Sequence, residues 1–230
     1  HAVSSRLREG QVTVVGNGSA CVVGGHAYII KKGQRFITNS AIASMGYDLP
    51  AAIGAWTASR DKGCYSQGGD RSGDDLILVT GDGSMQMNLQ ELQTIIHHRM
   101  GIKIFVINNG GYHSIRQTQK NFFGEPLIGI GVDSGDLSFP ALDKLAAAYG
   151  YPYVSARHNS ELGEAVEKTL AAEGPVICEV FVSMDQNFEP KSSAKRLPDG
   201  TMVSPPLEDL SPFLPDEEMD ENMIIPRIKG

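Results

Sequence analysis

Two short motifs place oxygen-bearing side chains directly behind apolar runs of the chain. GDGS at 81–84 follows the apolar run 76–79, and Asn109 comes 27 residues after Asp82, behind a second apolar run at 102–107. Mg²⁺ takes about six oxygen ligands, commonly one or two carboxylates together with substrate phosphates and water. A carboxylate and an amide oxygen at these positions therefore indicate a divalent cation held against a pyrophosphate.

The predicted secondary structure brings these two positions together. Short apolar runs favour strands buried on both faces of a parallel sheet, and a right-handed β-α-β unit makes consecutive strands neighbours. Ligands of such sheets bind outside the carboxyl ends of the strands, so Asp82 and Asn109 should converge. Gly81 and Gly83 permit a tight turn with close backbone approach to a ligand. Gly83 and Ser84 also lie where a helix begins, and the free amides there favour phosphate.

Strand and helix patterns alternate along most of the chain. The predicted strands are 11–15, 76–79, 102–107, 153–155 and 176–182. The predicted helices are the stretch after Pro50, 88–99, 141–149 and a helix from Asn159 or Ser160 to about Ala172. Residues 61–75 are predicted to form a polar, Gly-rich surface loop, and a second Gly-rich loop follows residue 107. The alternation predicts the α/β class, as a three-layer α/β/α domain with a mostly parallel central sheet.

The composition is that of an ordinary globular chain, with 230 residues of which 41% are hydrophobic and 20% charged. No run reaches the ~18 apolar residues that a membrane-spanning helix needs, so no membrane association is predicted. The net charge is −7, and no basic surface for nucleic acid is indicated. The three cysteines lie far apart without a CxxC pair, which predicts reduced thiols and a cytoplasmic location.

The alternating pattern ends after residue 182. From Asp185 onward the chain carries ten acidic residues against five basic ones, together with seven of the twelve prolines. We therefore predict two parts: residues 1–185 as the ligand-binding domain, and residues 186–230 as an acidic, Pro-rich arm that packs on the domain or on a partner. One short helix is expected in the arm, near 216–223.

The two motifs together resemble a known signature. GDGSMQMNLQEL followed by VINNGGY is similar to the signature of the thiamine diphosphate-dependent enzymes, in the branch of the acetolactate synthase large (catalytic) subunits. The resemblance covers roughly residues 11–185 and identifies residues 1–185 with the C-terminal, diphosphate-binding domain of that family. It implies thiamine diphosphate and Mg²⁺ as cofactors. The metal ligands that it implies are Asp82, Asn109 and the carbonyl group of Gly111. The cofactor contacts that it implies here are Gly81, Gly83, Ser84, Asn109, Gly111 and Tyr112.

A second stretch, ASMGYDLPAAIG at 43–54, resembles the part of the family that holds the aminopyrimidine ring of the cofactor. The resemblance implies cofactor binding by Ala43, Ser44 and Met45, with the Ala43 carbonyl and the Met45 amide bonding the ring. The Met45 side chain would prop the cofactor into its bent, reactive shape and lower the local dielectric constant. Taken alone, a methionine such as Met45 is more often a core residue, and only its motif favours this catalytic role.

The residues after Tyr112 depart from the pattern of the family. Acetolactate synthases have Gly-Met and then a Trp that biases the choice of the second substrate, whereas this chain has His113, Ser114 and Thr118. Smaller and more polar side chains imply a different or wider acceptor pocket, with a 2-keto acid still the substrate. His113 is a candidate catalytic residue that could relay protons near neutral pH, and a histidine of a surface loop is an equal alternative.

Three other features have simpler interpretations. Gly16-Asn17-Gly18 lacks the third glycine of a dinucleotide fingerprint and is interpreted as an ordinary β-α turn. His97 and His98 have no acidic or cysteine partner in register, which favours a solvated or partly buried face. Trp56 is predicted to lie in the core.

The resemblance also implies a missing half of the active site. The family needs a glutamate that protonates the aminopyrimidine ring, and that residue belongs to a separate pyrimidine-binding domain, usually on the partner subunit. No segment of this chain resembles that domain. We therefore expect a chain that is inactive alone and is completed by the pyrimidine-binding domain of the same or another chain, in a homodimer or tetramer. The chain is expected to be cut from a longer enzyme, or to be one product of a split gene, with excision favoured.

The implied function is that of an acetolactate synthase-like 2-keto acid decarboxylase and carboligase, a lyase or transferase with pyruvate or a related keto acid as donor. Two alternatives keep the same cofactor: a non-catalytic assembly module that binds thiamine diphosphate, and the small subunit of a split 2-keto acid decarboxylase. A third alternative is a generic nucleotide-binding α/β domain, which predicts binding of NAD or ATP in preference to thiamine diphosphate.

Overall fold

The computed structural model describes residues 1–60 and 75–227. These residues form two compact units, the first from His1 to Gln186 and the second from Asn187 onward. Apart from Asp75, the predicted surface loop at 61–75 lies outside the described residues. Within the described ranges, Cys21 and Cys178 are free thiols, and no helix is long and apolar enough to cross a bilayer.

Six parallel strands form the central sheet of the first unit. They are β1 (Val12–Val15), β2 (Arg35–Thr38), β3 (Leu76–Gly81), β4 (Ile102–Asn108), β5 (Tyr153–Ala156) and β6 (Val176–Phe181). Their order across the sheet is β2-β1-β3-β4-β6-β5. The chain builds outward in one direction from β1 and in the other from β3, so the order reverses between these two strands. Such a reversal opens a crevice for ligands at the carboxyl ends of the strands.

Helices cover both faces of this sheet. They are α1 (Ala2–Arg6), α2 (Ser19–Ala27), α3 (Asp48–Ala58), α4 (Asp82–Gln86), α5 (Glu91–His97), α6 (His113–Phe122), α7 (Leu142–Tyr149) and α8 (Asn159–Ala171). One core packs α3, α4, α5 and α7 against side chains such as Leu78 and Ile104, and the opposite core packs α8 against Ile77 and Phe105. The predicted three-layer α/β/α class is confirmed.

The strands β3 and β4 bring the two predicted motifs side by side. They pair in parallel from Leu76↔Ile102 to Gly81↔Ile107, so both strands end at the same height. Most of their side chains are apolar on both faces because helices cover both faces, and each fully buried Ile or Leu contributes about 1.5–3 kcal/mol. Asp82 therefore leaves the sheet beside Asn108 and Asn109.

The structure differs from the predictions at several elements. The long loop predicted after residue 107 contains α6, and the strand β2 and the helix α1 were not predicted. The helix predicted at 88–99 is shorter, Glu91–His97, and a separate short helix, α4, precedes it. Periodicity of apolar residues could not reveal α6, because the side chains that it buries are His113, Arg116 and Gln117.

Two single-residue predictions have clear outcomes. His97 and His98 are exposed at the end of α5, as the solvated interpretation predicts. Trp56 packs against the core but is only partly buried, and the guanidinium carbon of Arg60 lies 3.5 Å from its ring centroid. The prediction of a core tryptophan therefore holds for one side of the ring.

The second unit contains a short hairpin and one helix. The hairpin pairs β7 (Lys195–Arg196) with β8 (Met202–Val203), and the helix α9 spans Asp216–Asn222. Arg227 forms ion pairs with Asp216 and Asp220 of this helix. The helix was predicted near 216–223 and the hairpin was not. The packing of this arm on the domain or on a partner stays a prediction.

Candidate functional site

A cavity of about 400 Å³ opens at the carboxyl ends of β1, β3 and β4, beside the reversal of strand order. Every predicted site residue except Ser44 lines it: Ala43, Met45, Gly81, Asp82, Gly83, Ser84, Asn109, Gly111, Tyr112 and His113. Ser44 is exposed, and its hydroxyl accepts a hydrogen bond from Asn39. The topology thus gathers residues from positions 43 to 113 of the chain at one place.

The Asp82 carboxylate is buried at the floor of the site. Its two oxygens accept hydrogen bonds from the backbone N–H groups of Gly83 and Gly111, each at 2.9 Å. Burial raises the pKa of Asp82 to about 6, although the neighbouring backbone N–H groups and the positive charge of Arg116 oppose this rise. A bound cation would offset the same desolvation, because it favours the ionised carboxylate.

Asn109 follows the end of β4 and lines the same cavity. Its amide nitrogen donates to Ser19 Oγ at 2.7 Å, whereas its Oδ1 atom is buried without a hydrogen-bond partner among the described residues. Within the same described part of the chain, the Gly111 carbonyl oxygen also accepts no hydrogen bond. A buried unsatisfied polar group costs about 1–3 kcal/mol, which indicates that a ligand satisfies it.

These two free oxygens fit the predicted cation. Together with the Asp82 carboxylate, they give one charged and two neutral oxygen ligands, a set that suits Mg²⁺. The described residues contain no cluster of three or more His, Cys, Asp and Glu side chains, as a zinc site would require. The chemistry of the donors therefore agrees with a hard cation that takes its remaining ligands from a phosphate and water.

Backbone contacts hold the loop that carries these ligands. Gly110 N donates to Asn108 Oδ1 at 3.0 Å, and Tyr112 N donates to Ile130 O at 2.7 Å. Gly111 has φ +144°, and a Cβ atom there would lie 2.1 Å from Ile130 O, so only glycine fits. The loop is thus built to a single conformation by a neighbouring segment of backbone.

Gly83, in the first motif, is also required for a steric reason. A Cβ atom on Gly83 would lie 2.4 Å from Cε1 of Tyr112, and this ring packs edge-on against Phe139 with 5.7 Å between centroids. Gly83 therefore lets the aromatic ring of one motif lie directly on the backbone of the other. This contact fixes their separation.

The stretch that carries Met45 is tied to the first motif by Ser84. The Ser84 hydroxyl accepts from Gly46 N at 2.9 Å and donates to Asp48 Oδ1 at 2.8 Å, while Thr80 donates to the other oxygen of Asp48. Asp48 is fully buried, so these hydroxyl donors compensate for its desolvation. The side chain of Ser84 serves this connection, and the predicted contact of Ser84 with the diphosphate stays a prediction.

Sequence reasoning missed the part of the wall that follows β1. Gly16-Asn17-Gly18 is the predicted β-α turn between β1 and α2, but Asn17, Gly18 and Ser19 also line the cavity. Asn17 donates to the Ala43 carbonyl oxygen, and Ala43 adopts φ +58°, an uncommon conformation for a residue with a side chain. The available signal was position: this turn lies at the carboxyl end of a predicted strand.

His113 is a buried wall residue at the first position of α6. Its Nε2 atom is 2.7 Å from Gln186 O, and its Nδ1 atom is 3.3 Å from Nη1 of Arg116. Since arginine only donates, Nδ1 accepts and Nε2–H donates, which assigns the neutral tautomer. The surface-loop alternative is wrong because the side chain is 4% exposed. Thr118 is exposed and bonds within its own helix.

Comparison with known proteins gives the family. The sequence model described as "Thiamine pyrophosphate enzyme, C-terminal TPP binding domain" matches residues 16–180, more than half of the chain, and thiamine pyrophosphate is another name for thiamine diphosphate. The resemblance inferred from the motifs is thereby confirmed.

Curated relatives agree with this match. The chain is 31% identical over 157 residues to an acetolactate synthase of Arthrospira platensis, which covers 68% of this chain and 24% of the relative. It is 33% identical over 156 residues to the acetolactate synthase large subunit of Cyanidium caldarium, covering 68% and 24%. It is 30% identical over 178 residues to the acetolactate synthase isozyme 2 large subunit of Escherichia coli, covering 77% and 29%.

The chain thus spans about a quarter of the length of the first two relatives. The fold, the cavity and the family match agree with one another. The chain belongs to the thiamine pyrophosphate enzymes, as a C-terminal thiamine diphosphate-binding domain of the acetolactate synthase-like type.

Proposed function

We propose that this chain supplies the thiamine diphosphate- and Mg²⁺-binding half of the active site of an acetolactate synthase-like 2-keto acid decarboxylase and carboligase. One observation carries the proposal. Asp82, Asn109 and Gly111 meet in one cavity, and two of their oxygens have no donor among the described residues. The names of the relatives support the class of reaction.

The geometry of the cavity supports an assignment of the cofactor-binding residues. The Asp82 carboxylate, Asn109 Oδ1 and the Gly111 carbonyl would hold Mg²⁺, and the backbone of Gly83 and Ser84 would approach the diphosphate. When bound, thiamine diphosphate supplies the electron sink that lets a 2-keto acid lose CO₂. The protein's part is to bind and orient the cofactor and to exclude water.

The remaining wall of the cavity shapes the reaction. Met45 presents a flexible apolar side chain that would buttress the bent cofactor. Ser114 and Ile115 line the cavity at the beginning of α6, where an acceptor substrate would lie. With both ring nitrogens of His113 hydrogen-bonded, its imidazole orients this wall and, in this arrangement, offers no free nitrogen as a proton relay.

The other half of the site belongs to a partner under this proposal. A pyrimidine-binding domain, from the same or another chain of a homodimer or tetramer, would supply the activating glutamate, so this part alone would be inactive. We also place the enzyme in the cytoplasm, in keeping with the free thiols of Cys21 and Cys178.

Calorimetric titration of the full-length enzyme with thiamine diphosphate tests the proposal. Wild-type protein should bind the cofactor with Mg²⁺ and lose binding when Mg²⁺ is chelated, and Asp82→Ala should abolish binding. Asp199→Ala is the matched control, because Asp199 also accepts a backbone N–H at 2.9 Å but is exposed in the second unit. Absence of Mg²⁺-dependent binding, or normal binding by Asp82→Ala, would contradict the proposal.

A second assay separates catalysis from assembly. The full-length or reconstituted enzyme should release CO₂ from pyruvate or a related 2-keto acid. Cofactor binding without CO₂ release from a panel of 2-keto acids would instead favour a non-catalytic assembly module. Preferential binding of NAD or ATP would favour a generic nucleotide-binding domain.

A further inference from the structure

The helix α6 buries a polar face beside the candidate cation site. Its buried residues, His113, Arg116 and Gln117, are spaced as one helical face, whereas Ile115 and Phe122 are exposed. Arg116 is the largest of them, and its side chain is 1% exposed. A buried guanidinium is costly unless its donors are satisfied, so its partners show what the helix is built to hold.

Arg116 donates hydrogen bonds to the loop that carries the predicted ligands of the metal ion. Nη1 donates to the Asn109 carbonyl oxygen at 3.3 Å, and Nη2 donates to the Gly110 carbonyl oxygen at 3.2 Å. Nε and Nη2 also bind the two Asp133 carboxylate oxygens, at 2.7 and 2.9 Å. One planar group therefore joins two consecutive carbonyls of the loop to a carboxylate on the segment behind it.

These contacts satisfy some of the polar groups of the loop 109–111 and leave others without a partner among the described residues. The carbonyl oxygens of Asn109 and Gly110 accept from Arg116, and the N–H groups of Gly110 and Gly111 donate to Asn108 and Asp82. Among the described residues, the oxygens left without a donor are the Gly111 carbonyl and Asn109 Oδ1. Arg116 thus occupies the other two carbonyls of the loop, and the two predicted ligands belong to residues that line the cavity.

We propose that Arg116 is a positioning residue for the bound metal ion, one that presets the two neutral oxygen ligands by holding the Asn109 and Gly110 carbonyls, which lie between those ligands along the chain. The proposal rests on the function proposed above and extends it to a residue that touches neither the cation nor the cofactor. Residues that orient metal ligands typically change metal affinity by about 10- to 100-fold when they are replaced. Lysine cannot substitute fully, because a point charge cannot hold two carbonyls and bind a carboxylate through two bonds at once.

The competing explanation is that Arg116 only stabilises the fold. Lys103, on β4, offers a matched control, since it is also fully buried, lies 3.2 Å from the Asp75 carboxylate and donates to two backbone carbonyls, Ala172 and Gly174. Lys103 lies at the amino end of the strand, remote from the cavity at its carboxyl end. If Arg116 only stabilises the fold, replacing Arg116 and replacing Lys103 should have the same kind of effect. If Arg116 positions the metal ligands, only its replacement should change Mg²⁺ binding.

The test measures the Mg²⁺ concentration that gives half-saturation of thiamine diphosphate binding to the full-length enzyme, together with the unfolding midpoint. The variants are Arg116→Met, Arg116→Lys and Lys103→Met. Arg116→Met should raise the half-saturating Mg²⁺ concentration by about 10- to 100-fold, and Arg116→Lys should recover part of this loss. Lys103→Met should lose stability while its half-saturating concentration stays within about twofold of wild type.

Each outcome decides the question. Equal Mg²⁺ requirements for Arg116→Met and wild type, or equal shifts in Arg116→Met and Lys103→Met, would overturn the proposal. If Arg116→Met does not fold, Arg116→Lys decides, since an unchanged Mg²⁺ requirement in this variant would also overturn it. Wild-type enzyme without Mg²⁺-dependent binding would instead overturn the proposed function, and this inference with it.

Discussion

A buried, positively charged side chain lies near each end of strand β4, and the two have similar partners. Lys103 at the amino end and Arg116 beside the carboxyl end both donate to two backbone carbonyls and pair with one partly exposed carboxylate. The lysine ties the segment between α8 and β6 to the sheet, whereas the arginine holds the loop that carries the candidate ligands. Hydrogen bonds from a buried charged side chain to backbone carbonyls therefore stabilise the fold at one end of β4 and hold the candidate site at the other.

The choice of side chain follows from what each end must hold. The flexible ammonium group of Lys103 reaches carbonyls two residues apart, which only need a donor. Arg116 must hold two consecutive carbonyls and a carboxylate in one fixed arrangement. Its planar guanidinium group does so with little further loss of side-chain conformational entropy. Precision is thus concentrated at the carboxyl end, where ligand geometry matters.

The largest expected effect comes from a change at the carboxyl end that leaves every charge in place. Gly111→Ala would set a Cβ atom 2.1 Å from Ile130 O at φ +144°, so the loop must move. We expect a loss of about 3–4 kcal/mol in thiamine diphosphate binding, measured by titration in excess Mg²⁺. Gly135→Ala is the control, because Gly135 also has positive φ (+75°) but open space around it. Equal binding by both variants would remove the claim that this loop is built to one conformation.

At the amino end, Lys103→Met should act on stability alone. It leaves the Ala172 and Gly174 carbonyls without their donor and Asp75 without its partner. Since Asp75 is partly exposed, we expect a loss of about 2–3 kcal/mol in the free energy of unfolding, measured by urea denaturation. A comparable loss of cofactor affinity in the folded variant would break the distinction between the two ends.

Replacing Asp133, the carboxylate partner of Arg116, should have a smaller effect on stability, and this effect should depend on pH. Hydrogen bonds from Arg116 hold the pKa of Asp133 below its usual value, which is about 3.9 in an unfolded chain. The stabilisation from Asp133 is therefore fully present above about pH 4 and is lost as the pH falls through the folded pKa. Asp133→Asn should cost about 1 kcal/mol at pH 7, because solvent screens this carboxylate.

Urea denaturation of wild type and Asp133→Asn at pH 7 and pH 3 checks this expectation. The difference in unfolding free energy between the two proteins should shrink as the pH falls. A difference that stays constant would mean that the ion pair with Arg116 does not contribute through its charge.

The smallest effect should come from the neighbour of Asn109 across the cavity. Ser19→Ala removes the acceptor of the Asn109 amide nitrogen while leaving the loop backbone untouched. We expect a loss of about 0.5 kcal/mol in Mg²⁺-dependent cofactor binding, the lower end for a neutral hydrogen bond, with little change in stability. Ser5→Ala, which removes a hydroxyl that bonds only within α1, should leave cofactor binding unchanged.

The two ends of β4 also show how far sequence reasoning reaches. The proximity of Asp82 and Asn109 was predictable because each follows an apolar strand, and parallel pairing carries neighbouring strand ends together. Gly111 was implied only by the resemblance of its motif. The role of Arg116 was not predictable, because α6 buries polar side chains and gives no apolar period. Its partner Asp133 lies two residues after Gly131, which pairs with Gly111 in an isolated backbone bridge. No local sequence pattern predicts this pairing.

The wall formed by Asn17 and Ser19 was missed for a related reason. Its residues were interpreted as an ordinary β-α turn, which is correct as local structure. Their proximity to Ala43 and Asn109 depends on the strand order β1-β3-β4, and pairing of non-consecutive strands is a property of the whole sheet. His113 shows the converse, since its place in the site was foreseen and its hydrogen bonds were not.

The most direct test removes Asn109 Oδ1, the one buried side-chain oxygen without a hydrogen-bond partner among the described residues. Asn109→Ala removes Oδ1 and the hydrogen bond to Ser19, so the folded enzyme should keep its unfolding free energy within about 1 kcal/mol. Its half-saturating Mg²⁺ concentration for thiamine diphosphate binding should rise by about 100-fold or more, because a direct cation ligand is lost. An Asn109→Ala enzyme that binds the cofactor at the wild-type Mg²⁺ concentration would contradict the cation site on which the account depends.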